Sequence, residues 1–172
     1  PPFQVLPASG PQSDHSGRTK YLYADRFGAF TGNTTTGISL DVASTSNDVV
    51  VQDCQFTNTG MGIKVHTSAV VVDFLVDGCT FTSNTGGGIF SDTATPSSGF
   101  TGVNFTNFTL SDSTFTGNGA ANNQTAVYIE RLNNGTITRN TFTDNGIATN
   151  PRAITLHLKY GAYRNITVTD NI

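Results

Sequence analysis

The sequence predicts an all-β protein, a right-handed parallel β-helix of about five to six rungs. Three observations predict it. A phrase recurs as Phe30-Thr-Gly-Asn33, Phe56-Thr-Asn-Thr59, Phe81-Thr-Ser-Asn84, Phe115-Thr-Gly-Asn118 and Phe142-Thr-Asp-Asn145, at spacings of 26, 25, 34 and 27 residues. Apolar residues alternate with period two inside short runs, as in Gly62-Ile-Lys-Val65 and Ala126-Val-Tyr-Ile129, which is the signature of strands with one buried face. The composition is polar without being charged: 28 Thr, 18 Gly, 16 Asn and 13 Ser against 12% DEKR. Leu, Ala, Glu and Lys are too scarce for long helices, while 12 Phe and many Val and Ile supply a core that a disordered chain would lack.

Along the chain, residues 1–20 are rich in Pro, Ser and Gly, fall outside the repeat, and read as an N-terminal arm or cap. Residues 21–172 carry the repeats. Each full rung offers three short strands. The first ends on an aliphatic five residues before the Phe (Val51, Val76, Leu110, Ile137), and Val168 continues that column. The Phe phrase is the second strand. The third follows a small residue, in Gly37-Ile-Ser-Leu40, Gly62-Ile-Lys-Val65, Gly88-Ile-Phe-Ser91, Ala126-Val-Tyr-Ile129 and Ala153-Ile-Thr-Leu156. Such runs are too short for a sandwich of hairpins, but in a coil each residue stacks on its equivalent one rung away.

The corners fit the same scheme. Asn33, Asn84, Asn118 and Asn145 stand where the chain must turn, and Asn tolerates left-handed backbone while stacked amides bond along the axis. A second corner column reads Cys54, Cys79, Ser113, Asn140 and Asn171. The two cysteines on consecutive rungs read either as a disulfide or as two small buried thiols. At the far end, Asn165 to Ile172 starts a rung and stops one residue before the expected Phe. That predicts a fragment of a longer solenoid, or an end-to-end contact with another chain.

The net charge of −3 leaves no basic excess for a phosphate backbone, so nucleic acid is not an expected partner. Apolar runs are no longer than a few residues, so no membrane-spanning helix is expected. Six Asn-x-Thr sequons, at Asn33, Asn104, Asn107, Asn123, Asn134 and Asn165, are compatible with secretion.

Alternation around the third strand places Asp41, His66, Asp92, Glu130 and His157 in one outward column. The adjoining outward column reads Ser39, Lys64, Phe90, Tyr128 and Thr155, with Arg131 and Lys159 nearby. Asp92 and Glu130 on neighbouring rungs are the candidate catalytic acid–base pair, since adjacent carboxyls perturb each other. Asp41, Lys64, His66, Phe90, Tyr128, Arg131, His157 and Lys159 are the candidate polysaccharide-binding residues: charge for an acidic sugar, and aromatic faces for stacking. The excursion from Asp92 to Asn104 lengthens its rung and is placed to wall such a groove. A zinc site is not expected, because the sequence has no third Cys and His66 takes an outward strand position. Asp92 and Glu130 are close enough to share a cation, and the cofactor is left open. The bland reading is a solvated face, because strand ends carry charge on any β-helix. A second face presents Thr80-Phe-Thr82, Thr114-Phe-Thr116 and Thr141-Phe-Thr143, a hydroxyl-and-methyl array of the kind used to bind ice.

The pattern hydrophobic-x-x-Asn-x-Phe-x-x-Asn followed by Gly-Ile resembles the β-helix repeats of secreted polysaccharide lyases and mannuronan epimerases. Phe81-Thr-Ser-Asn84 with Gly86-Gly-Gly-Ile89 also resembles the FxxN and GGAI repeats of surface adhesins. Over residues 21–172 the resemblance implies the fold; it implies no catalytic residue, because the epimerase tract Asp-Pro-His is absent after Tyr160-Gly161. The functional expectation is a secreted or cell-surface β-helix that engages polysaccharide on its ionisable stripe, as part of a lyase, epimerase or hydrolase. The alternatives are a non-enzymatic adhesin or stalk, and an ice-binding face.

Overall fold

A strand of three to eight residues can bury one face only against its equivalents above and below, and the chain does this rung after rung. The computed structural model describes residues 20–24, 28–40, 45–91, 104–120, 125–158 and 163–172. Among them every regular element is a β-strand. The first sheet stacks β1 (Lys20–Ala24), β4 (Thr45–Gln52), β7 (Val70–Asp77), β10 (Phe105–Ser111), β13 (Leu132–Thr138) and β18 (Ile166–Thr169) in that order. The second stacks β2 (Ala29–Thr31), β5 (Gln55–Thr57), β8 (Thr80–Thr82), β11 (Thr114–Thr116) and β14 (Thr141–Thr143). The third stacks β3 (Thr36–Leu40), β6 (Met61–Val65), β9 (Gly87–Ser91), β12 (Val127–Glu130) and β17 (Ile154–His157). All neighbours in these sheets run parallel, which defines a parallel β-helix. One detail was not expected from the sequence: β15 (Gly146–Ile147) and β16 (Asn150–Pro151) form a small antiparallel ladder beside the solenoid.

The core is a set of columns. Phe30, Phe56, Phe81, Phe115 and Phe142 stack with ring centroids 4.8, 4.8, 4.6 and 4.9 Å apart. Phe56, Phe81 and Phe115 are fully buried. Phe142, expected to be buried with them, is only half-buried, since β14 ends its sheet and one ring face has no described neighbour. Val51, Val76, Leu110, Ile137 and Val168 pair in register as a second column. The small residue before the third strand has a steric cause. A Cβ on Gly62 would lie 2.7 Å from the Phe81 ring, and one on Gly88 would lie 2.7 Å from Phe115.

Polar columns close the corners. Asn84 donates to Asn118 Oδ1 at 2.8 Å, and Asn118 to Asn145 Oδ1 at 3.1 Å. Thr59 takes the place of the missing Asn and gives its hydroxyl to Asn84 at 2.7 Å. In the first sheet a further column, Asp48, Asp73, Asn107, Asn134 and Asn165, adopts φ between 52° and 57°, a conformation that Asx side chains tolerate. No helix among the described residues is long and apolar enough to cross a membrane. Residues 1–19, the 92–103 excursion, Asp41, Asp92 and Lys159 lie outside the described residues.

Candidate functional site

On the third sheet Ser39, Lys64, Phe90, Tyr128 and Thr155 are in register, as the alternation predicts. None of the five is buried. Phe90 and Tyr128 stack with centroids 5.2 Å apart at 25°, the offset geometry that aromatic pairs prefer. The pair leaves a flat apolar strip two rungs wide on an otherwise polar face.

Beside the strip, Tyr128 Oη donates to Glu130 Oε1 at 2.6 Å and meets His157 Nδ1 at 2.8 Å. Tyr128 Oη so joins the Glu130 carboxyl and the His157 imidazole in one hydrogen-bonded chain. The His157 side chain is 54% exposed, so the imidazole is presented on this face. The chain Glu130–Tyr128–His157 therefore orients two outward groups from one buried anchor.

Two expectations need correction here. Glu130, expected outward, has no exposed surface. It ends β12 just before the left-handed turn at Arg131 (φ 53°), and the Tyr128 hydroxyl and His157 imidazole of the next rung close over its carboxyl. Alternation gives the side of the strand but not what the adjacent rung lays across it. Glu130 thus lies beneath the face it was expected to line. Arg131, expected to meet an acidic sugar, is likewise fully buried and donates from Nη2 to the Thr67 carbonyl. Burial pulls its guanidinium below the usual arginine range, against the opposing pull of Tyr163 and Glu130. Burial also pushes the Tyr163 phenol up. Glu130 and Arg131 are thus two consecutive buried charged residues at the end of β12.

His66 lies on the same face two rungs away, with Nδ1 against Ser68 Oγ at 2.8 Å and accepting the Ser68 amide at 3.2 Å. Behind it Asn104 donates to the Ala69 carbonyl and receives the Ser91 hydroxyl at 2.9 Å, which pins the corner. The structure thus brings together Phe90, Tyr128, Glu130, Arg131 and His157, leaves Lys64 and His66 further along the face, and does not describe Asp41, Asp92 or Lys159. The threonine array expected from three Thr-Phe-Thr rows is broken at Ala29 and Gln55 in one of its columns. The other runs through all five rungs: Thr31, Thr57, Thr82, Thr116 and Thr143 are in register on the second sheet. The repeated Phe-Thr dipeptide was the available signal.

Three parallel sheets stacked rung on rung make this a parallel β-helix protein. Residues 12–172 match the family model described as periplasmic copper-binding protein (NosD). The chain belongs to the NosD family, and the family's periplasmic description agrees with an exported protein. No curated protein and no solved structure matches the chain. The lyase- or epimerase-like repeat type implied by the sequence resemblance thus reduces to membership of this β-helix family.

Proposed function

We propose that this chain is an exported β-helix that engages a polysaccharide along its third sheet. Phe90 and Tyr128 form the stacking platform, Lys64 supplies charge, and His157 accepts a hydrogen bond from a sugar hydroxyl. The carrying observation is the stacked Phe90–Tyr128 pair, whose tyrosine is held by buried Glu130 beside exposed His157. Sugar rings pack their C–H faces on aromatic surfaces, and fixed polar groups at the edge set specificity. Catalysis is left out of this reading because Glu130 is sealed from solvent.

The family description raises copper as a question of fit. Copper(I) takes sulfur ligands, and copper(II) takes imidazole with oxygen or nitrogen partners. Among the described residues no three His, Cys, Asp or Glu side chains converge. Cys54 and Cys79 do adjoin, but both are buried, and the Cys79 thiol is pushed above the usual thiol range, first by its hydrogen bond with Cys54 and then by burial. The described residues do not fit a copper centre, and no part of the proposal runs through the metal.

The test is a titration with acidic and neutral oligosaccharides, repeated on a Phe90→Ala/Tyr128→Ala double variant that folds normally. The reading requires saturable binding by the parent chain and its loss in the variant. Undiminished binding in the variant removes this face as the site. The unbroken threonine column supports a second reading, ice binding, for which thermal hysteresis is the direct assay.

A further inference from the structure

Cys54 and Cys79 are the only two cysteines in the sequence. They sit one rung apart at the same corner: the flanking Gln55 and Thr80 are register partners, and Thr80 N bonds Cys54 O at 2.9 Å. Further along, this column follows one rule. Cys79 N donates to Ser113 Oγ, Ser113 N to Asn140 Oδ1, and Asn140 N to Asn171 Oδ1, each at 3.0 Å. The position therefore asks for a small acceptor, which Ser or Asn provides. Two consecutive rungs carry sulfur instead, and the thiols turn to backbone carbonyls: Cys54 Sγ donates to the Gln52 carbonyl at 3.2 Å, and Cys79 Sγ to those of Asp77 at 3.3 Å and Val51 at 3.4 Å. Parallel neighbours lie about 4.8 Å apart, inside the Cα separation of about 4.4–6.8 Å that disulfides accept.

We propose that Cys54 and Cys79 are a modification site: in the exported protein they become an inter-rung disulfide. The partner is a dithiol–disulfide oxidase of the exporting compartment. Its disulfide is attacked by one cysteine thiolate to give a mixed disulfide, which the second cysteine resolves. Two S–H bonds are lost and one S–S bond forms, while the oxidase takes up two electrons and two protons as a dithiol. The exchange belongs to folding, because in the closed solenoid each cysteine is 1% exposed. Protonated, sealed thiols do not attack. Once formed, the bond ties one full turn of the solenoid and constrains the unfolded chain.

The test uses the chain exported to an oxidising periplasm, acid-quenched, and alkylated with iodoacetamide in denaturant. The proposal requires no adduct before reduction and two after it. Two adducts without reductant overturn it. The Cys54→Ser chain should take one adduct with or without reductant. As a second readout, the oxidised parent chain should unfold at a higher urea concentration than the reduced one; equal midpoints overturn the bracing role.

Discussion

Glu130 and His157 are register partners on adjacent rungs, yet the carboxyl is fully buried while the imidazole side chain is 54% exposed. Tyr128 Oη bridges them at 2.6 and 2.8 Å. The phenol is thus the joint between a buried carboxyl and an exposed imidazole.

Removing the joint tests its energetic part. Tyr128→Phe keeps the ring that stacks on Phe90 but takes the donor from Glu130. A buried acceptor losing its partner costs about 1–3 kcal/mol. Urea denaturation should show that loss with an unchanged slope. A Tyr128→Phe chain as stable as the parent would show the bond to be incidental.

The phenylalanine column makes a graded prediction. Phe115 is sealed between Phe81 and Phe142, so Phe115→Ala should cost about 3–5 kcal/mol through the cavity it leaves. Phe142→Ala should cost clearly less, because its ring is only half-buried. Paired chemical denaturation curves check the order; equal losses would contradict the packing.

Asn118 accepts from the Asn84 amide at 3.1 Å and donates to the Phe81 carbonyl at 2.9 Å. Asn118→Ala strands both buried groups, a loss of about 2–4 kcal/mol. Asn118→Asp sets a buried carboxyl oxygen against the Phe81 carbonyl and Asn145 Oδ1, so it should cost at least as much as the alanine. Amide hydrogen exchange should speed most at Asn84.

The exposed pair of Asp112 and Arg139 sets a pH dependence. Arg139 Nε and Nη2 contact the Asp112 oxygens at 2.8 and 2.6 Å, and this hydrogen bonding holds the Asp112 carboxyl below the ordinary range. A depressed folded pKa stabilises the fold above the unfolded value of about 3.9. That increment is lost as pH falls through the lower folded value. Carbon NMR titration should show the Asp112 midpoint rising in Arg139→Gln; no change would contradict the assignment.

The columns were legible because a solenoid writes each one into the sequence at a fixed offset. Phe at one spacing and an aliphatic five residues earlier gave two sheets, the small residue before an apolar-x-apolar pair gave the third, and the positions three residues after and two before Phe gave the polar corners. The left-handed column was legible by the same logic and was missed. Asp48, Asp73, Asn107, Asn134 and Asn165 each precede an aliphatic of the Val51–Val168 column by three residues. The burial of Glu130 and Arg131 was not legible. It depends on which side chain of the next rung folds over them, and no periodicity records that.

The central claim is that the strip on the third sheet meets polysaccharide, and a chemical-shift map tests it most directly. Adding an acidic oligosaccharide to labelled protein should shift Lys64, Phe90, Tyr128 and His157 in one saturable process and leave the threonine column of the second sheet unmoved. Saturable shifts confined to the second sheet, or none on either face with acidic and neutral sugars alike, would contradict it.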